Sequence, residues 1–184
     1  MRHRLVAILA VAGFLLARGL RAEDKPRGPT EKVRAFLGGE RVVGILSGAT
    51  RVECFRVFPE KPNEPMGKEC GGYPVISTAK DQTRDFAADI AAVLLDEKTY
   101  DFEKAKKAVY QPAVGFRLWR DKDWADVTVS FASDEIEISS KLPTDREITT
   151  AHEDCDTARA ALIKLAKIAF PEDKEVQDLA EKGK

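Results

Sequence analysis

The chain has 184 residues, is 43% hydrophobic and 33% charged, and carries 30 basic against 31 acidic side chains. That composition suits a globular domain and excludes a low-complexity or fibrous chain. Removing residues 1–22, for the reason given next, takes away Arg2, Arg4, Arg18 and Arg21 and no acid, so 26 basic face 31 acidic residues. A net acidic chain lacks the positive charge that phosphate backbones demand, which argues against nucleic acid and against an anionic membrane as partners.

The first segment, MRHRLVAILAVAGFLLARGLRAEDK, opens on Arg2, His3 and Arg4 and continues as an uncharged run from Leu5 to Ala17. The run falls short of the ~20 residues of a membrane span and fits the core of an export signal. Cleavage is expected near Ala22, placing the mature protein in the periplasm or outside the cell. Residues 23–30, EDKPRGPT, read as a disordered lead-in, and residues 31–184 as a single α+β domain.

Thr30 to Leu37 predicts a short helix capped by Thr30. ERVVGILSGA predicts a second one, ending at Gly48 as a left-handed cap. The first strand is expected over about 50–58. It is apolar on both parities, Val52 and Cys54 against Phe55 and Val57, so it should be covered on both sides. Residues 59–74 read as a long loop and VIST as a short strand. A helix follows over about 79–95, opened by Thr78 or Asp81, with Phe86, Ile90, Val93 and Leu94 on one face. Residues 96–112 carry no clear period.

Residues 113–140 alternate strictly and predict a three-stranded antiparallel meander. Pairing Trp119 with Trp124 sets Arg117 against Asp126 and Phe116 against Val127. Pairing Phe131 with Ile136 sets Ser130 against Glu137 and Thr128 against Ser139. Every apolar residue then shares one face, and a slip of one residue would mix the faces. Pro143 ends the region. TAHE, residues 150–153, has capping-box spacing and predicts a helix over about 151–169. A short final helix follows with Pro171 in its first turn. The fold class is therefore α+β: an antiparallel sheet with one face packed by helices about 79–95 and 151–169.

Chemistry-bearing motifs are sparse. HEDCD, residues 152–156, gathers five potential ligands, but consecutive residues diverge at a helix start, and the acids suit the helix dipole. Cys155 as a nucleophile gains from a helix N-terminus and loses to three neighbouring carboxylates. KAKKA, residues 104–108, reads as a solvated face. No phosphate loop, GxSxG or HExxH occurs, so the sequence points to no catalytic residue, metal or cofactor. Of the three cysteines, Cys54 and Cys70 are the favoured disulfide pair in an oxidising compartment, because the loop between them could fold back.

The candidate site is the polar face of the meander: Trp119, Trp124, Arg117, Asp126, Thr128, Ser130 and Glu137, with Ser139. Three readings stand. It is a solvated face with an aromatic clamp, a surface for a protein or small-molecule partner through its indoles and arginine, or a face over which the N-terminal segment or the 59–74 loop folds. The leading function is a non-enzymatic interaction domain. The alternatives are an exported, hydrolase-like enzyme with a dispersed site and a redox-responsive protein using Cys54 and Cys70.

Three stretches, GGYPVISTAKDQTRDFAADIAAVLLDEKTY, PAVGFRLWRDKDWADVTVSFASDEIEIS and LIKLAKIAFPEDKEVQDL, resemble a group of small exported bacterial proteins of unknown function. That group has GYPV before a helix ending in L-L-D, P-G-V-x-F-R leading into a V-D-V strand, and a helix ending in F-P-x-D. The resemblance covers about residues 40–182 and implies no activity and no catalytic residue. Where the group carries cysteines as C-F-x-C, this chain reads Ser130-Phe131-Ala132-Ser133, so the resemblance implies no role for those cysteines here.

Overall fold

A computed structural model describes residues 28–64, 67–104, 106–141 and 147–181. The expected export signal, most of the lead-in and Pro143 lie outside the described residues. The fold is α+β. Strands β1 (Arg51–Val57), β2 (Glu69–Cys70), β3 (Tyr73–Thr78), β4 (Val114–Arg120), β5 (Asp123–Ser130), β6 (Glu135–Lys141) and β7 (Glu147–Thr149) form one antiparallel sheet in the order β2-β3-β1-β4-β5-β6-β7. A further two-residue strand, β8 (Glu153–Asp154), also pairs with β6. Helices α1 (Glu31–Leu37), α2 (Glu40–Gly48), α3 (Arg84–Leu94), α4 (Arg159–Ala169) and α5 (Lys174–Gln177) accompany it. Among the described residues, no helix is long and apolar enough to cross a membrane.

The first meander register is as the alternation requires: Trp119 opposes Trp124, Arg117 opposes Asp126 and Phe116 opposes Val127. Asp121 takes the left-handed φ of 54° in the two-residue turn, a conformation aspartate tolerates. The second register differs by two residues. Ser130 opposes Glu135, Thr128 opposes Glu137 and Asp126 opposes Ser139. The turn is the four residues Phe131–Asp134, closed by Asp134 at φ 52° and by the Ser130 hydroxyl, which accepts from the Ser133 N–H at 3.3 Å. A shift of two keeps parity, so the division of faces survives.

One face carries the main core. Cys54, Phe116, Leu118, Val127, Ile136 and Ile138 are all fully buried or nearly so there, with Ile90, Leu94, Leu162 and Ile163 from α3 and α4. The cover is broader than the sequence suggests. Helix α2 lies on β4 and β5, presenting Val42, Val43, Ile45 and Leu46, while α3 lies on β1 and α4 packs against α3.

Several boundaries move for local reasons. Helix α1 ends at Gly38 in the left-handed conformation, φ 89°, whereas α2 runs into extended Ala49 without a left-handed cap at Gly48. Helix α3 starts at Arg84, not 79, because residues 79–82 stay beside β1: the Ala79 N–H donates to Cys54 and that of Gln82 to Val52. Its cap is Thr83, which accepts from the Phe86 N–H. The capping box at 150–153 does not form. Thr150 Oγ1 bonds the backbone of Ile138 instead, Glu153 enters β8, and α4 begins only at Arg159, after a 3₁₀ turn at Asp156–Ala158. The last helix is capped by Asp173, two residues beyond Pro171.

Candidate functional site

Strand alternation sends Arg51, Glu53, Phe55 and Val57 to the face opposite the main core, beside Gly115, Arg117 and Trp119 of β4. Strand β5 adds Trp124, Asp126 and Thr128, and β6 adds Glu137 and Ser139. This is the candidate face, ordered in rows. Arg51, Trp119 and Trp124 make the first. Glu53, Arg117, Asp126 and Ser139 make the second, and Phe55, Gly115, Thr128 and Glu137 the third.

Most of this face is closed to solvent. Asp126, Thr128, Ser130, Glu137 and Ser139 are each at most 4% exposed. Much of the cover is Lys61 and residues 67–73, part of the 59–74 loop named in the third reading of the sequence. Within it β2 and β3 form a hairpin turning at Gly71-Gly72, both with positive φ. Cys70 sits against β4 so closely that a Cβ on Gly115 would lie 2.6 Å from its Sγ. The Gly71 N–H donates to Asp126 Oδ2 at 2.8 Å. A Cβ on Gly71 would come within 3.1 Å of Thr128. Phe55, Val57, Cys70, Tyr73 and Tyr110 form a second, small apolar cluster under this cover.

Asp126 and Glu137, the buried carboxylates under the cover, are paired. Arg117 grips Asp126 through Nε and Nη2, both at 2.7 Å, and Nη2 also donates to the Glu69 carbonyl at 2.8 Å. Its guanidinium lies 4.4 Å from the Trp124 ring centre. Lys61 Nζ is 2.8 Å from Glu137 Oε1 and stands over Tyr73. His152 Nε2 sits 2.9 Å from Glu137 Oε2, and its ring stacks on Tyr110 at 3.9 Å. The Tyr110 hydroxyl donates to the Thr128 carbonyl at 2.7 Å. These bonds hold the cover in place, while Ser139 Oγ and Glu135 Oε2 are buried with no hydrogen-bond partner among the described residues.

Solvent reaches the first row and, in the second, the part-exposed Glu53 and Arg117. Trp119 and Trp124 are half-buried. Arg51 lies 5.0 Å over the Trp119 ring and pairs with Asp81 at 3.3 Å. Trp119 Nε1 is buried, and no partner is found for it among the described residues.

Cys54 and Cys70 are free thiols in two different apolar clusters on opposite sides of β1. The expected pairing fails geometrically, because adjacent strand parities point one sulfur into the main core and the other under the hairpin. Burial pushes all three thiols up, Cys54 to about 12 and Cys70 and Cys155 well above the ordinary thiol value. Such thiols stay protonated and make poor nucleophiles. Burial likewise raises the Tyr110 hydroxyl.

The HEDCD acids disperse. His152 goes to the polar face and Cys155 to the main core, while Asp154 and Asp156 take Lys104 and Lys106 as partners. Lys106 is no solvated residue. It is largely buried and donates to the Ser133 and Asp134 carbonyls. Among the described residues, no three His, Cys, Asp or Glu side chains converge as metal ligands. Five clefts lie away from the polar face, among them one of about 710 Å³ between Gly28–Thr30 and Leu95–Lys98.

Sequence reasoning placed the seven candidate residues on one face and missed Lys61, Cys70, Gly71, Tyr110 and His152, which close it. Besides the apolar residues of β1 on both parities, a further signal was available. Gly115 interrupts a strand of bulky residues, and a glycine there marks the close approach of another chain segment. No protein-family model, curated protein or solved structure matches the chain.

Proposed function

We propose that the chain is an exported, non-enzymatic interaction domain that holds its partner at the row Arg51, Trp119 and Trp124. The observation that carries this reading is the contrast within one sheet face. In the deeper rows Asp126, Thr128, Glu137 and Ser139 are buried under the chain's own cover, while two indoles remain part-open at the rim beside the exposed Arg51. Tryptophan and arginine side chains supply large contact area and are enriched at binding hot spots. Arg117, Asp126, Thr128, Ser130 and Glu137 then serve as the support of the row. Export rests on the Arg2–Ala22 segment and on the resemblance to small exported proteins. The acidic balance favours a protein or small molecule over nucleic acid.

The test is capture of partners on the immobilised mature chain, comparing wild type with Trp119→Ala/Trp124→Ala. Loss of a retained partner in the double variant, with an unchanged unfolding midpoint, is expected. Equal capture would refute the row.

A second reading, a hydrolase-like enzyme, draws on the Glu137–His152 contact, in which a buried carboxylate orients a half-exposed imidazole. Ester, peptide or glycoside hydrolysis that disappears in both Glu137→Gln and His152→Ala would favour it over the interaction domain.

A further inference from the structure

Beside β1, β3 ends in a free edge near the end of α4. Strand β2 pairs only with Tyr73 and Pro74, so Ile76–Thr78 has β1 on one side and no strand on the other among the described residues. The Ala79 N–H donates to Cys54 at 2.9 Å, and Thr78 opposes Phe55. Antiparallel alternation then turns the N–H and C=O of Thr78 away from β1. The register passes from Arg56 opposite Ser77 to Val57 opposite Val75, which leaves Ile76 as the extra residue of a bulge, 62% exposed. No charge or proline guards Ile76–Thr78, although exposed edges are usually protected by one or the other.

A groove of about 560 Å³ runs between this edge and the end of α4, lined by Ser77, Ala79, Lys80, Ile168 and Phe170 among others. Ile168 is 49% exposed. Two charged side chains lining the groove, Lys80 and Glu172, make no ion pair among the described residues, whereas Asp173 is held by Arg56 at 2.5 Å.

We infer that this groove receives an extended peptide segment, which pairs its backbone with Thr78, buries an apolar side chain against Ile168 and Phe170, and sets a carboxylate on Lys80. Three independent features select that chemistry. A free edge wants another strand, an apolar groove between strand and helix wants an alternate side chain, and an unpaired ammonium wants an anion. The edge is short, so the groove and Lys80 carry much of the affinity. The groove includes none of Arg51, Trp119 and Trp124, although Asp81, next to Lys80, pairs with Arg51.

The probe is a pool of fluorescent hexapeptides alternating threonine with valine, leucine or phenylalanine, each bearing one glutamate and a free C-terminal carboxylate, read by anisotropy. Peptides are expected to bind, and N-methylation at alternate residues should weaken them by about tenfold or more by removing strand pairing. Thr78→Pro, which removes an outward N–H and leaves the β1 ladder intact, and Lys80→Glu should each do the same. Trp119→Ala should bind as wild type. Replacing the glutamate by glutamine, or the terminal carboxylate by an amide, identifies which carboxylate Lys80 holds. A pool that does not bind would overturn the proposal. So would binding insensitive to N-methylation, to Lys80→Glu or to both carboxylate replacements. Sedimentation of the protein alone is expected to give a monomer; a dimer broken by Ile168→Asp would make a second copy the occupant and overturn the peptide.

Discussion

The two faces of the central sheet are built from the same strands and stabilised by different means. Behind one lies an apolar core in which Phe116, Val127 and Ile138 meet α2, α3 and α4. Behind the other lie five buried apolar residues, two ion pairs and a hairpin that enters on two glycines. The first face tolerates inexact packing at a graded cost, because apolar burial is non-directional. The second depends on pairing: Asp126 and Glu137 are acceptable in the interior only while Arg117 and Lys61 answer them. A polar strand face is therefore not the same thing as a wet one.

The comparison can be broken at its strongest point first. Phe116→Ala removes a ring from the main core and is expected to cost about 3–5 kcal/mol in denaturant unfolding. A loss under ~1 kcal/mol would mean that this core is not the main source of stability. On the other face, Arg117→Met leaves Asp126 buried without its cation, with the Gly71 N–H and the Cys70 thiol as remaining donors, and should cost about 3 kcal/mol. The double variant Arg117→Met/Asp126→Leu should recover part of that loss, since it removes the stranded charge. If the double variant is worse than the single one, the pair contributes more than it costs.

Smaller effects sharpen the picture of the hairpin. Gly71→Ala forces a left-handed alanine, φ 60°, toward Thr128 and should cost about 1–2 kcal/mol. Gly115→Ala drives a methyl group into Cys70 Sγ and should destabilise comparably, with Cys70→Gly in the same chain restoring part of the loss. Additive single effects would place Cys70 away from Gly115.

The smallest expected effect is electrostatic. Burial alone would raise the Asp156 carboxyl, but hydrogen bonds from Lys104 and Lys106 outweigh it and bring the group from 3.8 down to about 2. A carboxyl depressed in the folded state stabilises the protein above its unfolded value and loses that contribution as pH falls from ~4 toward 2. Asp156 is 41% exposed, so screening holds the effect below ~1 kcal/mol. Asp156→Asn should flatten the acid limb of the stability curve between those values. Superimposable limbs would show that the lysines give Asp156 nothing.

Much of this was legible in the chain, and the reason lies in period two. Val114, Phe116, Leu118, Ala125, Val127 and Val129 announce one apolar face, and the Trp119–Trp124 and Arg117–Asp126 pairs follow from the first tight turn. The two-residue offset beyond Phe131 was not legible, since parity is blind to even shifts. Nor was the fate of TAHE. Its capping spacing is local, while the pull of β6 on Thr150 and Glu153 is tertiary. For the candidate site, alternation told which side chains share a face and could not tell what covers it. That cover comes from Lys61, residues 67–73, Tyr110 and His152, far away in sequence; the apolar residues of β1 on both parities and Gly115 hinted at it.

Thiol labelling under native conditions tests the sealed face most directly, because the three cysteines divide between the two regions. Cys54 and Cys155 belong to the main core, Cys70 to the hairpin. With an alkylating reagent and mass-spectrometric assignment, all three should react only at the rate of global unfolding. Rapid labelling of Cys70, while Cys54 and Cys155 stay protected, would show that the hairpin lifts freely and that the polar face is open.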